Sequence, residues 1–329
     1  MDNVCHSLMG AALGKAGLAR RTTLGMSTLV IANNLPDIDV AVFATNTLVM
    51  SFRRGWTHGV LAQAVLPLVL TGVMLAYDRL VLQRTLRLST SRETRDVARS
   101  GQGLSPAKFG ELALLAYIGV LAHVFMDFLN SYGVRLLMPF SDRWFYGDAL
   151  YIVDPWLYLA LGFGWWLASR RQKRGDADAA QPARIGVAIA TVYMAVMLGS
   201  NLLARAEVQG GLVRAGRPAS TRFMVTPVLV NPFKREVVID AGGRYEKGLV
   251  WFEPLPHFRP SGFGIDTHLD DPAVQPALQT PLARAYLAWS RLPFAAVEPS
   301  GIWLNDYRYA NVGLGGWSAV RVLSRTQIQ

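Results

Sequence analysis

Six ionisable side chains stand at or near the ends of apolar stretches: His6, Asp37, Asp39, His58, His123 and Asp127. An ionisable group beside a membrane-length apolar run is costly to keep and usually serves a function. Imidazole nitrogen and carboxylate oxygen together are a donor set for zinc, manganese or iron. The chain has one cysteine, Cys5, which excludes an intrachain disulfide framework or a thiolate cage. A metal would therefore be held by His and Asp.

His123 and Asp127 lie four residues apart in an apolar stretch, so a helix carries both on one face. They read either as two metal ligands or as a His–Asp hydrogen bond that packs one helix on the next. Asp37 and Asp39 sit in Leu35-Pro36-Asp37-Ile38-Asp39. If extended, this stretch points both carboxylates the same way, and like charges side by side call for a compensating cation. The competing reading is a turn after Pro36 with Asp39 capping the next helix. His58 closes Arg53-Arg54-Gly55-Trp56-Thr57-His58 at the head of an uncharged run. It reads as a ligand, with Arg53 and Arg54 gripping a phosphate or carboxylate through paired hydrogen bonds, or as an interfacial histidine beside the belt residue Trp56. His6 is placed just before the first helix.

The elements that must position these residues are mostly membrane helices. Of 329 residues, 51% are hydrophobic and only 17% charged, where a soluble domain carries about 25%. Gly59–Tyr77 and Ile185–Ala204 are uncharged runs close to the ~20 residues that cross a bilayer. Leu112–Met126 continues apolar past Asp127, and Trp156–Ser169 is uncharged as well. Ser7–Leu18 and Thr22–Leu35 are too short for a full span and predict a helical hairpin bent at Arg20-Arg21. No cleavable signal peptide is expected, because Met1 to His6 carries Asp2 and no basic segment.

The net charge of +10 is concentrated in short segments between apolar runs. No nucleic-acid motif accompanies it, so nucleic acid is not an expected partner. Arg84, Arg87, Arg92, Arg95, Arg99 and Lys108 fill one loop; Arg170, Arg171, Lys173, Arg174 and Arg184 fill another. The positive-inside rule puts both in the cytoplasm. His6, Asp37, Asp39, His58, His123 and Asp127 then converge at the opposite, outer level. After Ala204 the composition turns to Pro, Gly and β-formers. Strands are expected over Arg222–Val230, Glu236–Ile239, Gly248–Phe252 and Ser318–Leu323, and a helix over Leu282–Ser290. The reading is a mostly α, polytopic helical membrane bundle over residues 1–204, followed by a strand-rich (α+β) extramembrane domain over residues 205–329.

These residues also carry a family resemblance. Met1-Asp2-Asn3-Val4-Cys5-His6-Ser7-Leu8-Met9-Gly10, Asn34-Leu35-Pro36-Asp37-Ile38-Asp39, Arg54-Gly55-Trp56-Thr57-His58 and His123-Val124-Phe125-Met126-Asp127 resemble the bacterial inner-membrane metal-dependent hydrolases of the YdjM type, a group described as LexA-binding-related. Asn130-Ser131-Tyr132-Gly133, Pro139-Phe140-Ser141-Asp142 and Asp154-Pro155-Trp156 extend the match, and Asn231-Pro232-Phe233 carries it weakly into the second half. The family often has His where this chain has Arg53, which removes one ligand. A fainter similarity is to zinc-dependent phospholipase C.

The resemblance implies a multi-pass protein of the bacterial inner membrane; the two basic loops and the parity of the spans put the site and the carboxy-terminal domain on the periplasmic side. The expected activity is metal-dependent hydrolysis of a phospholipid or lipid-linked phosphoester, with membrane lipid as partner. One or two ions, zinc before manganese or iron, would be held by His6, Asp37, Asp39, His58, His123 and Asp127. Asp37, Asp39, Arg53, Arg54 and Asp127 would act on the substrate. The alternatives are amide or ester hydrolysis by the same metal, and a non-catalytic scaffold with a structural His/Asp cluster. The chain has no Gly-x-Ser-x-Gly elbow and no His-Glu-x-x-His motif.

Overall fold

The computed structural model describes residues 1–44, 52–84, 107–312 and 316–324. Arg87, Arg92, Arg95 and Arg99 of the first basic loop lie outside the described residues. The chain forms two compact units, residues 1–39 with 54–199 and residues 40–53 with 200–329.

The first unit is helical. Helix α1, Asn3–Lys15, starts four residues earlier than the sequence suggests, because the Asp2 side chain accepts from the Val4 and Cys5 amides. This is an aspartate N-cap, the arrangement that satisfies the otherwise orphaned first amides of a helix. His6 is therefore inside α1, not ahead of it. A 3-10 turn over Leu18–Arg21 makes the expected bend, and α2 follows over Gly25–Ala32. Leu35–Ala44 then winds as a 3-10 helix, so Asp37 and Asp39 are not on an extended strand. Pro36 needs no amide partner at such a start.

Helix α3 covers Val60–Tyr77 and widens into a π turn at Asp78–Leu82; α4 covers Phe109–Phe128. Helix α5 is Pro155–Arg174, begun by the Asp154 side chain and ended by Gly175 in the left-handed conformation. Helix α6 runs from Gln181 to Arg214, ten residues past the expected end at Ala204. Among the described residues, three stretches are long and apolar enough to cross a membrane: Val60–Leu82, Phe109–Phe128 and Gln181–Arg214. Four were expected. The fourth, α5, has the length, but Arg170, Arg171, Lys173 and Arg174 crowd its last turns.

The cores follow from this arrangement. Leu157 and Leu161 of α5 pack on Cys5, Met9 and Ala12 of α1 and on Met194 and Met197 of α6. Leu70 and Met74 of α3 pack on Leu112, Ala116 and Val120 of α4 and on Ala32 of α2. Where α4 crosses α2 the approach depends on Gly119. A Cβ there would stand 2.4 Å from the Ala32 Cβ, so α4 settles against the end of α2 one turn before His123.

The second unit holds two antiparallel sheets. One has the order β1-β2-β3-β4, from Phe223–Pro227, Lys234–Asp240, Arg244–Phe252 and Pro256–Asp266. The other has the order β5-β6-β7, from Pro293–Glu298, Gly301–Asp306 and Ala319–Ser324. Helix α7, Pro281–Trp289, lies between them in sequence. Ala204, Val208 and Leu212 of α6 pack on Val225, Val237, Ile239 and Val250 of the larger sheet.

Candidate metal centre

Among the described residues, one set of side chains is arranged to hold an ion: Asp37, His58, His123 and Asp127, whose donor atoms all lie within 4.8 Å of one another. All four are buried. They come from four places in the chain: the 3-10 helix after α2, the turn before α3, and two successive turns of α4. The i, i+4 spacing on α4 puts His123 and Asp127 on one face, as expected.

Hydrogen bonding behind the set fixes what each imidazole presents. His123 Nδ1 lies 2.6 Å from the Asn33 carbonyl oxygen. A carbonyl only accepts, so Nδ1 carries the hydrogen and the neutral ring turns the lone pair of Nε2 inward. That carbonyl is available because Asn33 ends α2, where the last carbonyls have no partner within the helix. His58 Nδ1 lies 3.0 Å from the Thr57 hydroxyl, which is 3.3 Å from Asp39 Oδ2. The carboxylate only accepts, so the hydroxyl donates to it and accepts from His58 Nδ1. Nε2 of His58 is thus also a lone pair pointing inward. Burial holds the His58 imidazole below its usual range, and it pushes His6 down to about 3, so both are neutral near pH 7.

The inward atoms face one another. His58 Nε2 is 3.2 Å from His123 Nε2, and Asp127 Oδ2 is 3.2 Å from the first and 3.5 Å from the second. Asp37 Oδ1 stands 3.9 Å and 4.0 Å from the same two nitrogens. Lone pairs that converge with no hydrogen between them repel, and a bound cation reverses the sign of that interaction. The donor set therefore fits a metal ion, and the hydrogen bond from His123 to a backbone carbonyl is the support that metal-ligating histidines ordinarily have.

The remaining expected residues surround this set. His6 stacks on His123 with ring centroids 3.8 Å apart, and its Nε2 is 3.2 Å from the other oxygen of Asp127, Oδ1. The Met1 α-amino group lies against Asp127 Oδ1 as well. Asp39 stands behind the ligands: its Oδ2 accepts from Thr57 and, at 2.7 Å, from the Arg54 amide. Arg54 is buried and donates from Nη2 to Asp127 Oδ1 and from Nη1 to Asn130 Oδ1, both at 3.0 Å, with its guanidinium over the Tyr132 ring. It holds a left-handed backbone conformation, φ 52°, of the kind that clusters at functional sites. Arg53 is half-buried and belongs to the other compact unit.

Asn33, Thr57, Asn130 and Tyr132 were not expected at the site. Asn130 could have been found from its spacing, three residues after Asp127, and Thr57 from its place next to His58. Asn33 contributes a backbone oxygen, which no side-chain pattern reveals.

The comparisons with known proteins bear on the same half of the chain. The protein YfhP of Bacillus subtilis (strain 168), which its name describes as uncharacterized, is 23% identical over 171 residues, covering 49% of this chain and 44% of YfhP. The chain thus matches less than half the length of that relative. No solved structure matches. The YdjM inner membrane protein family matches residues 1–208, the stretch that carries all six His and Asp residues. This chain belongs to the YdjM inner membrane protein family.

Proposed function

We propose that the protein is a membrane-embedded, metal-dependent hydrolase of a lipid or lipid-linked phosphoester. The observation that carries this reading is the convergence of His58 Nε2, His123 Nε2 and Asp127 Oδ2 within 3.2–3.5 Å of one another. A divalent ion held there, zinc before manganese or iron, would acidify a bound water and neutralise the charge that develops on a phosphoryl oxygen. The chain's own residues orient that chemistry. Asn33 and Thr57 fix the two imidazole rings, Arg54 and Asn130 fix Asp127, and Asp39 fixes both Thr57 and the turn at Arg54.

Substrate class is argued from the surroundings. Val4, Ile38 and Trp56, each a near neighbour in sequence of a site residue, are exposed apolar side chains. Apolar groups beside a polar site at the end of membrane helices suit a substrate with an acyl or prenyl tail. The direct test is release of phosphate or head group from phospholipids and polyprenyl phosphates by detergent-purified protein with zinc or manganese. Turnover on a lipid phosphoester supports the reading; turnover confined to amides or carboxylic esters overturns it.

The excess of Lys and Arg at the ends of the helices away from the cluster favours a periplasmic site. A reporter that is active only in the periplasm should be active when fused after Gln329 and inactive when fused within the loop at Arg92. The opposite pattern would invert this orientation.

A further inference from the structure

At the other end of the helical unit lies a cavity of about 330 Å³ that has no part in the metal centre. Its apolar wall combines Met26 of α2 with small residues: Gly14 of α1, Ala19 of the 3-10 turn, Ala168 of α5, and Ala179 and Ala180 ahead of α6. Lys15, Arg20 and Gln172 line it too, and the lining contains no carboxylate. The hollow lies where the ends of α1, α2 and α5, the 3-10 turn and the approach to α6 meet, mostly through small residues.

Its level can be read from the helices. Lys15 is nine residues along α1 from His6, or roughly 14 Å at the helical rise. On α5, Tyr158 reaches Asp2 at the cluster end, whereas Gln172 is in the final turn. Between them Trp165 and Trp166 are exposed, and Arg170 stacks over the Trp166 ring at 4.3 Å. Exposed tryptophans followed by basic residues mark the head-group layer of a bilayer. The cavity is lined by Ala168 and Gln172, just past these tryptophans on the same helix, which is the level expected for lipid phosphates.

Its charge is uncompensated. Lys15 donates to Gln172 Oε1 at 2.6 Å across the cavity, which leaves two of the three ammonium donors. Arg184 donates from Nε to the Ala16 carbonyl and brings a further cation to the rim. Among the described residues, no carboxylate pairs with Lys15, Arg20 or Arg184. Basic residues alone would follow from topology; a hollow between helix ends, walled by alanine and rimmed by cations at phosphate depth, is a more specific feature. Basic pockets between membrane helices are where anionic head groups bind.

We propose that this cavity binds the phosphodiester head group of an anionic phospholipid, as a site separate from the metal centre. The test is native mass spectrometry of the full chain in mild detergent, titrated with phosphatidylglycerol or phosphatidylcholine. The wild type should retain one phosphatidylglycerol at concentrations where phosphatidylcholine is lost. Lys15→Gln with Arg20→Gln should weaken that binding about fivefold per charge removed. Ala179→Leu, which keeps the charges and fills the hollow, should weaken it as well. Lys173→Gln with Arg174→Gln, exposed at the same helix end but outside the lining, should leave it intact. Equal retention of the two lipids would overturn the proposal, as would an equal loss in the Lys173/Arg174 control or full binding in Ala179→Leu. Displacement by millimolar inorganic phosphate would assign the cavity to a soluble anion and overturn the lipid assignment.

Discussion

Asp127→Asn should reduce lipid phosphoester hydrolysis by at least about three orders of magnitude, equivalent to roughly 4 kcal/mol of transition-state stabilisation. Asparagine keeps the volume of the side chain and removes its charge. Both carboxylate oxygens are committed: Oδ2 faces His58 and His123, and Oδ1 meets Arg54 and His6. The neutral amide would turn an NH2 group toward either the imidazole lone pairs or the Arg54 guanidinium, and each choice destroys one side of the arrangement. Activity should be read per folded molecule, because removing one member of a buried ion pair costs about 3–5 kcal/mol of stability. Near-wild-type turnover in folded Asp127→Asn would leave the cluster with a structural role only.

Arg54→Ala should lower metal affinity about 10- to 100-fold, the usual effect of removing a group that supports a metal ligand. The sequence suggests a different part for Arg54, that of an anion clamp, and the two roles separate experimentally. A clamp that binds substrate equally in ground and transition states raises KM and leaves kcat and metal content alone. A guanidinium bonded to Asp127 Oδ1 and Asn130 Oδ1 acts on the ligand, so its loss should lower metal retention before any substrate is added. Arg54→Lys should fall between wild type and Arg54→Ala. Lysine keeps the charge but cannot present two parallel donors in a fixed plane. Metal retention unchanged in Arg54→Ala would return Arg54 to the role of substrate clamp.

The site was more legible than the fold that carries it. His123 and Asp127 declare themselves because a helix fixes their relative direction once the apolar stretch is recognised. His58 is marked by the uncharged run that begins after it. Asp37 and Asp39 were identified for a reason the structure does not keep. They do not point together from an extended segment; they flank His58 from its Nε2 and Nδ1 sides on a 3-10 helix, and only Asp37 joins the converging set. His6 was set outside α1 because the apolar pattern starts after it, whereas the Asp2 cap starts the helix earlier.

In the second half, strands with a compact run of β-branched residues were legible. The chain over Lys234–Asp240 reads Lys-Arg-Glu-Val-Val-Ile-Asp and buries the consecutive Val237, Val238 and Ile239. Pro256–Asp266 was missed because Pro260, Gly262 and Gly264 read as loop. The strand tolerates them as the last in its sheet, where one edge needs no ladder partner. Pro293–Glu298 and Gly301–Asp306 were missed because neither is long and both open on a residue that ordinarily breaks strands. They pair with each other across a two-residue turn, an interaction that neither segment shows alone.

The most direct test is the metal content of the purified full chain. Wild-type protein prepared without chelator, equilibrated with zinc and freed of unbound ions by gel filtration, should retain at least one equivalent by elemental analysis. His123→Ala, handled identically and shown to be folded by its thermal transition, should retain less than a tenth of that. Folded wild-type protein that retains no zinc, manganese or iron, or a His123→Ala protein that retains as much as the wild type, would contradict the assignment of the His58, His123, Asp37 and Asp127 cluster as a metal centre.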